Sequence, residues 1–347
     1  MYFATWATST SGGFLRADVE QNTDWSIDYN LRLARTADEA GFYAILFPTR
    51  YSANGPEGND GQLDPFVLAS AAAVQTKQIH LLTAVLPAFV PPALLAKTGA
   101  TLDQLSGGRW HVNLVSGWFK HEHTSLSASW LDHEDRYKRS EEYIEVLRGL
   151  WQNPEFQFKG EYYHISGGTM RPQPVQKPYP AIFQGGNSER AQQMAGKYAD
   201  WYFMNGGKEE ELLPQIRNVS EIAAANGRKV RFAVNAFVIA RETEEEARNE
   251  YEFIISRANV QAIEAFKEKT KEAKGMWKHL DDISSFVGMN EGLRTGLIGS
   301  YSQVAEKIRS LQQLGIDLLL LAFRFPIEEI QTFSQKVAPL VREKQSV

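Results

Sequence analysis

An alternation restricts what this chain can fold into more than any other feature. Short β-branched or aromatic runs are each followed by a stretch of helical periodicity, from the first residues almost to the last. Residues 2–7 predict a first strand. The segment 25–40 follows as a helix, with Ile27, Leu31, Ala34 and Ala37 on one face and Gly41 ending it. Residues 43–48, 79–86 and 109–115 predict three further strands. Asp64-Pro65 and Pro91-Pro92 open helices after the first two, running to Val74 and Leu105, and a helix over 136–151 follows the third. Strands at 181–184, 201–204, 230–239 and 317–323 complete the series, with helices at 188–197, 208–225, 244–258 and 327–341.

Eight β-then-α units without a break in composition predict an α/β fold of the (β/α)₈ TIM-barrel type. The nearly continuous apolar run 318–323 is what a strand covered by helices requires. An open Rossmann-like sheet is the alternative, but the first βα junction, T-S-T-S-G-G at 8–13, lacks G-x-G-x-x-G. The 347 residues therefore read as one barrel domain with three insertions. These are a polar connection at 117–135, a hairpin with a proline-rich link at 156–180, and a charged then glycine-spaced stretch at 260–299. The last carries Gly288, Gly292, Arg294 and Gly296, and reads either as a closing lid or as a surface excursion.

Charge and cysteine content remove whole classes of function. A net charge of −5 with no Lys/Arg block disfavours nucleic acid or an anionic membrane as the main partner. The absence of cysteine excludes disulfides, zinc ribbons, iron–sulfur ligation and thiol nucleophiles. The N-terminus lacks a basic n-region, and no apolar run approaches membrane-spanning length. A soluble, cytoplasmic protein is expected.

In a barrel of this kind the C-terminal strand ends form the active face. Here they carry Arg50, Ala84, Asn113, Ser116, Gln184, Met204, Asn205, Asn235 and Arg324, a rim rich in amides and aromatics and poor in carboxylates. Such a rim suits a flat ring with polar edges. The junction Gly185-Gly186-Asn187-Ser188 admits two readings: a tight βα turn, or a backbone cradle for an anion at a helix N-terminus. Asn113 could bond neighbouring backbone or a ligand's carbonyl and ring nitrogens. The spacing of His121, His123 and His133 matches no common metal motif, so no metal is expected and these read as solvated side chains. His111 reads as a satisfied core histidine. Neither G-x-S-x-G nor a P-loop occurs.

Several segments together resemble the bacterial luciferase-like flavin monooxygenases. They are A-T-L-D-Q-L-S-G-G-R (100–109), V-N-L-V-S-G-W (112–118), D-H-E-D-R-Y-K-R-S-E-E-Y (132–143), P-A-I-F-Q-G-G-N-S (180–188) and A-D-W-Y-F-M-N-G (199–206). The chain is most similar to the group that oxidises sulfonates and sulfones with reduced FMN. V-N-A-F-V-I-A-R-E-T (234–243) resembles its dimethyl sulfone branch. The resemblance implies that Gly185, Gly186, Asn187 and Ser188 hold the FMN phosphate with Tyr137. It implies that Asn113 bonds the pyrimidine edge of the ring, that Ala84 packs near it, and that Met204 is a weaker neighbour. It also implies diffusible FMNH₂ delivered by a separate NAD(P)H:FMN reductase, a C4a-peroxy adduct formed with O₂, and transfer of one oxygen to a small organosulfur substrate.

Arg294, Arg324 and Arg50 are then candidates to hold substrate oxygens or balance the peroxide, each against the alternative of a structural ion pair, and Asn235 is the fourth catalytic candidate. Relatives imply a homodimer or homotetramer. Alkanesulfonate enzymes carry Arg-x-His where this chain has Asn235-Ala-Phe237, and often a cysteine after the second strand. That departure favours a small neutral sulfone over an anionic sulfonate. The sulfone branch tends to place His after the phenylalanine of strand eight, where Arg324-Phe325 stands here. The expected reaction is dimethyl sulfone to methanesulfinate and formaldehyde. Methanesulfonate or another small-substrate monooxygenase, and a deazaflavin-dependent oxidoreductase on the same barrel, are the alternatives.

Overall fold

Backbone pairing closes the predicted strands into a ring. The structure, a computed structural model, describes residues 1–8, 13–52, 62–153, 155–271 and 283–343. Its strands are β1 (Tyr2–Trp6), β2 (Ala44–Phe47), β3 (His80–Val85), β4 (Trp110–Leu114), β5 (Phe156–Lys159), β6 (His164–Gly168), β7 (Ile182–Gly185), β8 (Trp201–Met204), β9 (Arg231–Arg241), β10 (Leu297–Ser300) and β11 (Leu318–Ala322). Parallel pairing runs β9-β11-β1-β2-β3-β4-β7-β8, and β8 returns to β9 through Trp201↔Arg231 to Met204↔Val234. This is the expected eight-stranded barrel. β5 and β6 form the separate antiparallel hairpin foreseen in the second insertion.

Local chemistry sets the helix boundaries. Ser26 caps the helix Ile27–Glu39 by accepting from Tyr29 N. Asp64 accepts from the amides of Phe66 and Val67, both at 2.9 Å, ahead of Pro65 in the first turn of Pro65–Ala73. Gly107 ends Pro92–Ser106 in the left-handed region, at φ 68°. Alternation then sorts the strand side chains. Ala4, Ala44, Leu46, Leu82, Phe183, Trp201, Ala233, Leu318 and Leu320 pack together inside the ring. The residues between them, such as Ile45, Leu81, Val112 and Leu319, pack outward under the helices.

The structure departs from the sequence reading in three places. The polar connection 117–135 holds a helix, Lys120–Ser125. The third insertion is largely regular: a helix Val260–Thr270, a second at Ile283–Val287, a 3₁₀ turn Met289–Thr295 and then β10. Residues 272–282 of that candidate lid lie outside the described residues. β10 pairs with the upper half of β9, from Leu297↔Val238 to Ser300↔Arg241. It escaped notice because a four-residue strand flanked by Gly296 and containing Gly299 reads as a turn. The helix Tyr301–Gln313 behind it was missed too. No helix among the described residues is long and apolar enough to cross a membrane.

A stack of flat rings fills the barrel interior. The His80 and His111 rings lie 4.8 Å apart and 7° from parallel, Tyr43 stacks on His80 at 4.5 Å, and Phe183 stacks on Trp201 at 5.0 Å. His111 is buried as expected but is not satisfied: neither ring nitrogen has a hydrogen-bond partner among the described residues. Desolvation holds its pKa down at about 3. An unfolded imidazole takes up a proton near its ordinary value of 6.5, so between these values the unfolded state binds more protons and stability falls as pH falls. We expect His111→Phe to flatten that decline by about 2–3 kcal/mol at roughly pH 4.5. Urea unfolding of both proteins between neutral and acid pH measures it, and equal slopes would refute the assignment.

Candidate functional site

At the C-terminal strand ends lies a cavity of about 630 Å³. Trp6 and Phe203 stand on its wall with Ala84, Asn113, Gly185, Gly186 and Asn205. The loop after β1 contributes Phe14, Leu15 and Arg16, and the loop after β2 contributes Thr49 and Arg50. Ala262, Ala265, Phe266 and Lys269 of the helix Val260–Thr270 form its roof, with Met289 and Asn290 beside them. The third insertion thus borders the cavity. A smaller hollow of about 330 Å³ beside the β5–β6 hairpin is lined by Leu150, Gly167, Gly168 and Met170 with exposed His164, and presents no such convergence of polar groups.

At the end of β7, Gly186 has φ 135°, and a Cβ there would lie 3.0 Å from the Ala191 Cβ and 3.2 Å from the Tyr137 hydroxyl. A Cβ on Gly185 meets nothing nearer than Phe203 O at 3.8 Å, so the space before it belongs to the cavity. Ser188 caps the helix Glu189–Tyr198, accepting from Ala191 N at 3.1 Å and donating to Tyr137 Oη at 3.4 Å. Burial raises the Tyr137 pKa, which keeps the phenol protonated and able to donate. The Gly186 amide is not a free donor, because it bonds Phe203 O at 3.3 Å. The amides of Asn187, Ser188, Glu189 and Arg190 meet no protein acceptor among the described residues. Gly186 therefore shapes the loop, and the residues after it carry the donors.

One polar atom on the wall lacks a partner among the described residues. Asn113 Oδ1 is buried without a hydrogen bond, at a cost of about 1–3 kcal/mol if left so, whereas the Asn205 side chain faces the Glu291 carboxyl. Together with the amides beyond Gly186, Asn113 fits a ring with a polar edge and an anionic tail. Among the residues expected around a flavin, the structure thus gathers Ala84, Asn113, Gly185 and Gly186 on the cavity wall, with Asn187, Ser188 and Tyr137 directly behind it. Met204 is elsewhere. Trp201 and Phe203 point into the barrel, so Met204 points out and packs, fully buried, in the core under the helices. Strand parity separates it from the ring.

The four expected catalytic residues divide. Arg50 lies on the wall, 4.5 Å over the Trp118 ring and 3.6 Å from buried Glu122, whose other oxygen receives Tyr51 N at 2.7 Å. Burial lowers the Arg50 pKa and Glu122 opposes that shift. Asn235 is off the wall: it accepts from Trp6 Nε1 at 2.9 Å and donates to Met289 O and Asn290 O. Arg294 pairs with Glu211 and lies 3.9 Å from Glu291. Arg324 bonds Glu20 O and lies 3.5 Å from Glu250. Neither of these two arginines borders the cavity, because each is drawn to a carboxylate on a different helix or loop. Glu291, buried in an αL conformation at φ 58°, has its carboxyl pushed up to about 7 by desolvation, with Arg294 opposing, Glu211 adding and a hydrogen bond from the Asn205 side chain opposing.

His123 corrects the reading of a solvated loop. It is buried, its Nδ1 lies 3.0 Å from Phe119 O, and it packs edge-on to Trp130 at 5.0 Å. Among the described residues no group of three His, Asp or Glu could hold a metal. Sequence reasoning missed Arg16 and the roof residues Phe266 and Lys269. A lone arginine in an apolar G-G-F-L-R-A segment gives no local signal, and the helix 260–270 looked like a solvated charge run in its second half.

Comparison with known proteins agrees with this geometry. The profile described as luciferase-like monooxygenase matches residues 1–318. An FMNH(2)-dependent dimethylsulfone monooxygenase of Pseudomonas putida is 42% identical over 348 aligned positions, covering 98% of this chain and 95% of that protein. One of the same description from Pseudomonas fluorescens (strain Pf0-1) is also 42% identical, covering 98% and 94%. The crystal structure of a long-chain alkane monooxygenase superposes with a TM-score of 0.86 at 20% identity, covering 99% of this chain and 92% of that one, and so shares its fold.

Gly185 offers a clean test of the cradle, since a side chain there enters the cavity and meets only ordinary protein contacts. Gly185→Val is expected to weaken FMN binding at least ten-fold, about 1.4 kcal/mol, with the thermal midpoint unchanged. Flavin fluorescence titration beside a melting curve reads both quantities. Unaltered affinity places the flavin elsewhere.

Proposed function

The chain belongs to the luciferase-like monooxygenase family, and from that premise we propose that it is an FMNH₂-dependent monooxygenase that cleaves a C–S bond of dimethyl sulfone. The reaction balances as dimethyl sulfone, O₂ and FMNH₂ giving methanesulfinic acid, formaldehyde, FMN and water. What carries this reading is the cavity wall itself: amides at the head of Glu189–Tyr198 and the Asn113 side-chain oxygen, all without a partner among the described residues. Reduced FMN, when bound, supplies the electrons with which O₂ is activated.

The residues present account for the protein's share. The amides of Asn187 to Arg190 and the Tyr137 hydroxyl would hold the phosphate, where the helix N-terminus favours a dianion. Asn113 would bond the polar edge of the ring, and Ala84 leaves it room. Trp6, Phe14, Phe203 and Phe266 present apolar faces to a small substrate and keep water from the reacting atoms. Arg50, buried against Trp118 and paired with Glu122, adds a fixed positive group at the wall. FMNH₂ dependence implies O₂ use and a separate flavin reductase. A cytoplasmic homodimer or homotetramer completes the reading carried over from the family.

Anaerobically reduced FMN mixed with the protein, dimethyl sulfone and aerated buffer tests it. Methanesulfinate and formaldehyde are expected in equal amounts, both dependent on FMNH₂ and O₂. Release of sulfite from methanesulfonate, with dimethyl sulfone untouched, would overturn the substrate and leave the chemistry. Turnover with a reduced deazaflavin alone, independent of O₂, would overturn both.

A further inference from the structure

Arg16 differs from the three candidate catalytic arginines. Arg50 faces Glu122, Arg294 faces Glu211 and Arg324 faces Glu250, whereas among the described residues Arg16 has no carboxylate partner. It lies on the cavity wall, in the loop after β1. Its guanidinium sits 3.7 Å over the Phe266 ring, and Nη1 donates to Phe286 O at 2.8 Å. Its backbone is tied to the third insertion on both sides: Arg16 N donates to Val287 O at 2.7 Å, and Asn259 N donates to Arg16 O at 2.9 Å. Bridges at Leu15↔Gly288 and Ala17↔Ala258 flank it. A half-buried cation so firmly held without a carboxylate partner is costly, and a guanidinium has five N–H donors, of which one is engaged among the described residues. Desolvation lowers its pKa to about 10, which leaves it charged at neutral pH.

Ring order fixes where this cation stands relative to the phosphate cradle. Passing from β1 through β2, β3 and β4 to β7 takes four steps round an eight-stranded ring, so the loops after β1 and β7 oppose one another across the mouth. Asn113 on β4 and Ala84 on β3 lie on the arc between. The phosphate end and Arg16 therefore address different groups.

We propose that Arg16 is the substrate-binding residue that holds the two sulfonyl oxygens of the substrate, and afterwards the sulfinate oxygens of the product, on the side of the cavity opposite the flavin-phosphate cradle. This inference rests on the proposed function. A planar guanidinium fork matches two oxygens on one centre better than an ammonium does. Phe266 covers one face of the guanidinium and sets its plane.

Arg16→Met and Arg16→Lys test it, in protein saturated with oxidised FMN for calorimetry with methanesulfinate, and in FMNH₂ turnover with dimethyl sulfone. Arg16→Met is expected to raise the methanesulfinate Kd and the dimethyl sulfone KM by about ten- to a hundred-fold, with a smaller change in kcat and unchanged FMN affinity. Arg16→Lys is expected to bind methanesulfinate more tightly than Arg16→Met and more weakly than the parent. A residue that only ties the loop to the roof would lower the thermal midpoint and leave sulfinate affinity of the folded protein untouched; that result overturns the inference. Should Arg16→Met not fold, a Lys variant equal to the parent in sulfinate affinity overturns it alone. A parent protein that never oxidises dimethyl sulfone defeats the functional reading instead, and the calorimetry then decides Arg16 separately.

Discussion

The pairing of β8 with β9 is the constraint on which everything else rests. Until Trp201↔Arg231 and its successors form, the strands are an open sheet with two exposed edges; once formed, each strand has an inside and an outside. That distinction places Asn113, Gly185 and Phe203 at the cavity and sends Met204 and Tyr202 into the layer beneath the helices. It also packs Tyr43, His80, His111, Phe183 and Trp201 as a stack within the ring. The His111 imidazole, which finds no hydrogen bond among the described residues, is tolerated there because it stays neutral and stacks on the His80 ring.

The mouth above that plug is electrically divided. On the β7 side the positive character comes from backbone, with amides at a helix start that meet no acceptor among the described residues. On the β1 side it comes from one guanidinium clamped to the roof. Arg50 stands on the loop after β2, next to β1, already neutralised by Glu122. A ligand with an anionic tail, an amide-rich flat middle and a second partner bearing polarised oxygens satisfies all of these at once. The third insertion is what makes the arrangement enclosed. Its β10 extends β9 above the barrel, its 3₁₀ turn carries Asn290 and Glu291 in αL conformations against Asn205-Gly206, and its first helix supplies Phe266.

Much of this was legible beforehand, for local reasons. Strand ends, Gly-Gly, Asp-Pro and Pro-Pro are short-range signals, and the strands and helices that they predict begin and end within a few residues of those observed. The glycine turn and the Ser188 cap after it were legible for the same reason, though Gly186 does not offer the free amide expected of it, since that amide is spent on Phe203. The arginines were not legible. Arg294 and Arg324 sit near strand ends in the sequence, yet their charges are answered by Glu211 and Glu250, far off along the chain. A long side chain goes where a counter-charge awaits it, and sequence distance carries no record of that.

The sequence by itself determined the alternation of strands and helices, the caps, the glycine turn after β7 and the family, because each depends on neighbouring residues or on motifs a few residues long. Only the tertiary structure decided that Arg16 stands at the mouth without a carboxylate partner among the described residues, that Met204 is core, and that the glycine-spaced stretch returns as a strand on β9. Those outcomes depend on ring closure, strand parity and pairing between residues far apart in the chain, quantities that exist only once the chain has folded.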